Sequence, residues 1–125
     1  MNARIRLVFA IQLFLLPLTL FAADGRDAMW RKAEADAGKG LPKTVIRTLE
    51  PIIKGAIEEK AHAEAIKAIA GKVVFEEESG RILSPEGFWM NAGDHVKIAR
   101  MEAEIEKAPR EMRPVMTAIV ANWYW

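Results

Sequence analysis

The side chains able to do chemistry are few, and their spacing points away from catalysis. The two histidines, His62 and His95, lie far apart, and the chain has no cysteine. A zinc site draws three or four nitrogen, sulfur or carboxylate ligands from characteristic spacings. His62 with Glu58 or Glu64 supplies neither such a set nor a metalloprotease helix motif. His62 and His95 each read instead as a polar residue near a helix start, His95 beside Asp94. Serine occurs only at Ser79 and Ser84, neither in the glycine-flanked elbow that presents a nucleophile. Carboxylates are plentiful, but charged helix faces account for them. No pair stands out as set in a desolvated cleft for acid–base work. The glycines form no phosphate-cradling pattern. The residues therefore suggest no catalytic centre, no metal and no cofactor.

The elements that carry these residues are helices, organised around residues 40–74. Gly40 ends the preceding segment. Either Pro42 opens the next helix, where a missing N–H costs nothing, or Thr44 caps it. Val45, Ile46, Leu49, Ile52, Ile53, Ala56 and Ile57 then recur at helical spacing. Pro51 falls inside this stripe and should kink or split the helix. A second stripe runs through Ala61, Ala65, Ile66, Ile69, Ala70, Val73 and Val74, and its alanines let two helix axes come close. The expectation is two antiparallel helices forming a hairpin.

Upstream, residues 24–40 predict a short helix capped by Asp27, with Met29, Trp30, Ala33 and Ala37 on its apolar side. Downstream the pattern fails at Glu76-Glu77-Glu78, and residues 79–93 read as a long loop. Phe88 and Trp89, with Met90, either anchor that loop in the hairpin groove, which the usual role of loop aromatics favours, or form an exposed contact patch. Asp94 is placed to cap a helix running to Ala108, with Ile98, Met101 and Ile105 on one face. Pro109 closes it. A last helix puts Met112, Val115, Met116, Ile119, Val120 and Trp123 on one side, with Pro114 tolerated in its first turn. The fold class predicted is all-α: antiparallel helical hairpins in a small, repeat-like bundle.

The bulk numbers frame this bundle. The chain has 125 residues and 51% hydrophobic composition, with much of the apolar excess in residues 1–23. Basic Arg4 and Arg6 precede an apolar run shorter than a bilayer span, and Ala22-Ala23 offers small residues for processing. This reads as an export signal, with a retained membrane anchor as the alternative, leaving residues 24–125 as one helical module. Of 18 basic residues, Arg4 and Arg6 leave with the signal, so 16 remain against 17 acidic ones, a net of −1. No basic face argues for nucleic acid, and the only membrane association expected is through the signal. Without cysteine, the exported product must be held by packing.

The chain ends at Asn122-Trp123-Tyr124-Trp125 without a polar tail. That aromatic cluster reads as a surface to be covered by more protein, and the chain as the amino-terminal piece of a longer one. The alternative is a small protein whose terminal aromatics fold back onto its own hairpin. Trp123, Tyr124 and Trp125 are the candidate contact residues, followed by Phe88 and Trp89.

A tryptophan-bearing helix, then GLPKT, TLEPII, EAIKAIA, MEAEIEKAP, EMRPVM and a closing ANWYW, resemble in order the amino-terminal region of large bacterial alpha-2-macroglobulin-like proteins. The resemblance spans most of residues 30–125. It implies a periplasmic or otherwise exported helical segment that precedes β-sandwich domains in an endopeptidase inhibitor. The partners implied are the downstream domains of the same chain and, through the full-length protein, proteases. The thioester that some members build from cysteine and glutamine has no cysteine here. The rival readings are a stand-alone periplasmic helical-repeat adaptor that binds a peptide in its groove and, with least support, a small enzyme using His62.

Overall fold

The computed structural model describes residues 25–80, 82–83, 89–90 and 93–125, with side-chain surroundings for 25–80 and 95–125. Residues 1–23, expected to form an export signal, and Ser84 and Phe88 lie outside the described residues. So do the side chains of Trp89 and Asp94. The fold is all-α. Among the described residues there are five helices and one minimal ribbon, in which Ile82–Leu83 pairs antiparallel with Trp89–Met90.

The first helix, α1, covers residues 25–38. Asp27 lies within it rather than capping it. Ala33 is buried, with Trp30 and Ala37 half-buried beside it. Met29, expected on that side, is 37% exposed, and the buried place is taken by Asp36, paired with Lys32 one turn earlier. The helix ends in a paired cap: Gly40 N–H donates to Ala37 O at 3.0 Å and Leu41 N–H to Asp36 O at 3.0 Å. This geometry needs a left-handed residue just past the helix, and Gly40 supplies it with φ 70°.

Helix α2, Pro42–Glu58, begins at the proline. Thr44 is inside it, its carbonyl accepting a bond from Thr48 Oγ1 at 3.1 Å. Val45, Leu49, Ile52 and Ala56 are buried, as the stripe predicts. Pro51 does not split the helix. It is exposed, as is Arg47, whose carbonyl loses its partner to the missing N–H. That carbonyl can turn to water, while Leu49 and Ile52 on the opposite side fix both halves to the core.

The turn after α2 repeats the one after α1. Lys60 N–H donates to Ile57 O at 3.1 Å and Ala61 N–H to Ala56 O at 2.8 Å. Here the left-handed position is held by a lysine, Lys60, at φ 58°. Helix α3, His62–Ser79, follows. It continues five residues past Val74, the expected end of the apolar stripe. Phe75 packs against the core, and Glu76 sits 3.8 Å from Lys72 and 3.9 Å from Arg100. The glutamate run is thus a charged helical face turned partly toward the next helix, not a stop signal.

Helix α4 spans Gly93–Lys107 and places Ile98 and Met101 in the core. Ala108 and Pro109 end it. The carbonyls of Glu106 and Ala108, which have no helical partner, accept bonds from the Arg113 guanidinium at 3.1 and 3.0 Å. Arg113 also opens α5, Arg113–Trp123.

Two apolar clusters share α3. One joins α1 and α2 to Ala68. The other joins Ala65, Ile66, Ile69 and Val73 to Ile98, Met101, Met112, Met116 and Val120. Met101, Met112 and Met116 are wholly buried; an unbranched thioether fills irregular gaps between packed elements. Helix α1 belongs to the first cluster and α5 to the second.

Candidate interaction surfaces

The closing aromatics are divided by the turn of α5. Trp123 follows Val120 by about one helical turn and Met116 by about two, and faces inward, half-buried against the second cluster. Lys97 of α4 places its Nζ 5.0 Å from the Trp123 ring centre, a cation–π contact that ties the last turn to α4. Tyr124 is 62% exposed and Trp125 stands wholly in solvent. On the outer side of α5, Val115 is 53% exposed, and Pro114, Ala118, Ala121 and Asn122 are exposed with it. No charged residue occurs after Arg113.

The exposed side of α1 has the reverse character. The exposed residues of α1 include the charged Asp27, Arg31, Lys32 and Glu34 beside Ala28, Met29 and Ala35, and Lys39 follows in the turn. Its seat on the rest of the fold is polar at one end. The Arg26 guanidinium donates to Glu59 at 2.7 Å and to both oxygens of Glu64 at 3.1 and 3.2 Å. Trp30 Nε1 donates to Glu64 at 2.9 Å. The bond from Arg26 holds the Glu59 carboxyl below the usual glutamate range, and the same bond raises the arginine's affinity for its proton. Gly55 of α2 lies under this arginine, whose Cδ would sit 3.7 Å from any added Cβ. The clamp is spread over three helices and the turn between two of them, and helical periodicity carries no trace of it.

A second surface lies between α1 and α3. An apolar cleft of about 300 Å³ is floored by Val45 and Leu49 of α2. Its walls are Trp30, Ala33 and Ala37 on one side and Gly71 and Phe75 on the other. Glu34 and Lys67 stand at the mouth, Lys67 Nζ 4.3 Å from the Trp30 ring centre. A third depression, between the end of α3 and α4, is charged, lined in part by Glu76, Arg100, Glu104 and Lys107. Arg100 reaches across it to Glu76 at 3.9 Å and Lys72 to Glu104 at 4.0 Å, while Lys72–Glu76 and Lys107–Glu104, each at 3.8 Å, pair along a single helix.

His62 is half-buried at the first position of α3 and His95 is exposed on α4. The structure does not bring them together, and among the described residues no group of three histidine or carboxylate side chains is placed to hold a metal. No described helix is long and apolar enough to cross a membrane. Comparison with known protein families, curated proteins and solved structures returns no match to this chain.

Proposed function

We propose that the chain is an exported helical interaction module that works by protein–protein contact and not by catalysis. The observation that carries this is the contrast between the exposed sides of α1 and α5. Helical arrays stay soluble when their terminal helices turn a polar face outward. The exposed side of α1 does so, with four exposed charged residues. The exposed side of α5 carries no charge after Arg113, only the polar Thr117 and Asn122, and it runs into exposed Tyr124 and Trp125. An uncharged helix face with small residues at Ala118 and Ala121 is suited to close approach by another helix or sheet.

In the same reading α2 and α3 form an antiparallel hairpin, and α4 with α5 a second, so the bundle is repeat-like. Supporting this, Leu49 Cδ1 lies 3.5 Å from a Cβ built on Gly71. One turn away on each helix, Val45 and Phe75 line the same cleft. Position falls along α2 as it rises along α3, as antiparallel packing requires. Helix α1 is already formed at residue 25, two residues past the small pair Ala22-Ala23, so removal of an export signal after Ala23 would leave the described fold whole.

The partner proposed is the continuation of a longer chain, in keeping with the resemblance to the amino-terminal segment of alpha-2-macroglobulin-like inhibitors. Proteases would be met only by the full-length protein. The direct test is the reading frame past Trp125. An open frame continuing into strand-rich sequence supports the proposal, and an immediate stop codon contradicts it. The second reading, a stand-alone adaptor, is favoured by the cleft between α1 and α3.

A further inference from the structure

We infer that the cleft between α1 and α3 receives one helix of a partner polypeptide. A single bulky apolar side chain enters beside Trp30 and Phe75, an acidic residue pairs with Lys67 and a basic residue with Glu34. The inference shares with the proposed function the claim that the chain acts by protein contact, but it uses a different surface.

Gly71 is the first argument. It lies in the interior of α3, where alanine is the better helix former. Alanine would also fit: the one neighbour a Cβ would meet within 4 Å is Leu49 Cδ1, at 3.5 Å, an ordinary contact. The fold does not require glycine there. What the missing side chain does is leave that wall of the cleft of about 300 Å³ bare beside Leu49.

Shape and charge decide the occupant. The cleft is a trough between two helices, and the small, half-buried Ala37 and Gly71 along it let a third helix axis come near. Its apolar lining takes one anchor of leucine or phenylalanine size, as helix-in-groove recognition uses. The mouth carries both signs, Lys67 from α3 and Glu34 from α1. Among the described residues neither enters an ion pair, and Lys67 rests on the face of Trp30. A fatty acid or another small anion would satisfy Lys67 and be repelled by Glu34. A helix surface bearing a glutamate and a lysine on either side of its anchor satisfies both.

The test uses the whole chain, isotope-labelled, titrated with a helical peptide that has a central leucine, glutamate one turn before it and lysine one turn after it. The expected result is a saturable shift of the Trp30 indole N–H and the Gly71 amide in the nitrogen–proton spectrum. Gly71→Met, which fills the trough, removes the shift. Lys67→Glu makes both rims acidic. It weakens that peptide by about fivefold, as loss and reversal of one exposed charge pair dictates, and strengthens a peptide with lysine on both sides. Trp125→Ala leaves the titration unchanged, so failure here is separable from failure of the α5 proposal. The inference is overturned if neither signal moves, if Lys67→Glu binds both peptides as before, if the signals shift with protein concentration alone, or if a small amphiphile such as anilinonaphthalene sulfonate saturates the site while the peptide does not.

Discussion

Replacing Lys60 by glycine should make the protein more stable. Lys60 holds φ at 58° in the turn between α2 and α3, a conformation that costs a side-chain-bearing residue about 1–2 kcal/mol. Glycine removes that cost but adds about 0.5–1 kcal/mol of freedom to the unfolded chain. The net gain expected for Lys60→Gly is about 0.5–1 kcal/mol. Nothing offsets it, because Lys60 is exposed and forms no described ion pair. The equivalent turn after α1 is the control. Gly40 has φ 70° and nothing within 4 Å of an added Cβ, so Gly40→Ala meets no clash and registers the backbone term alone. It should cost about 0.5–1 kcal/mol by the same two terms taken in reverse. Urea denaturation followed by circular dichroism reads both as shifts of midpoint at unchanged slope. Thermal midpoints should move a few degrees, up for Lys60→Gly and down for Gly40→Ala. A Lys60→Gly protein less stable than the parent, or a neutral Gly40→Ala, would refute the matched-turn account.

Three other outcomes follow from the packing. Met116→Ala removes a wholly buried side chain and should cost about 2–4 kcal/mol, while Val115→Ala, at 53% exposure beside it, should stay within about 0.5 kcal/mol in the same urea assay. Trp123→Ala should destabilise by about 1–3 kcal/mol through lost packing and the lost Lys97 contact, whereas Trp125→Ala should leave stability within about 0.5 kcal/mol of the parent. The Arg26 clamp should depend on pH in one direction. Because the Glu59 carboxyl is held below its unfolded value by the bond from Arg26, its contribution is full above the ordinary glutamate pKa of about 4.3 and fades as pH falls through the lower folded value. Protection of the α1 amides, taken relative to their intrinsic exchange rates, should therefore fall below about pH 4 in the parent, and an Arg26→Met protein should lack that step.

Sequence periodicity locates most of the core. Val45, Leu49, Ile52 and Ala56 on α2, and Ala65, Ile66, Ile69 and Val73 on α3, fall on their stripes and are buried. Gly40 and Pro109 mark real boundaries because each acts on its own backbone. What periodicity misses depends on partners distant in the chain. The Glu76–Glu78 run looks like a terminus until Arg100 of α4 stands across from it. Lys60 carries no glycine signal, although the alternating caps at Gly40 and Lys60 share one hydrogen-bond pattern. Arg26 and Arg113 each read as surface charges; one joins α1 to Glu59 and Glu64, and the other closes the carbonyl end of α4. Of the candidate contact residues, helical spacing already assigns Trp123 to the inner face. The exposure of Tyr124 and Trp125 and the open cleft beside Gly71 required the packed helices.

The claim that α5 presents a contact surface is tested most directly by hydroxyl-radical labelling of the protein isolated from its native source, set beside the same chain produced alone. Tyr124, Trp125 and Val115 should be labelled in the isolated chain and strongly protected in the native material, with Met29 on α1 labelled equally in both. Equal labelling of Tyr124, Trp125 and Val115 in the two samples would contradict it.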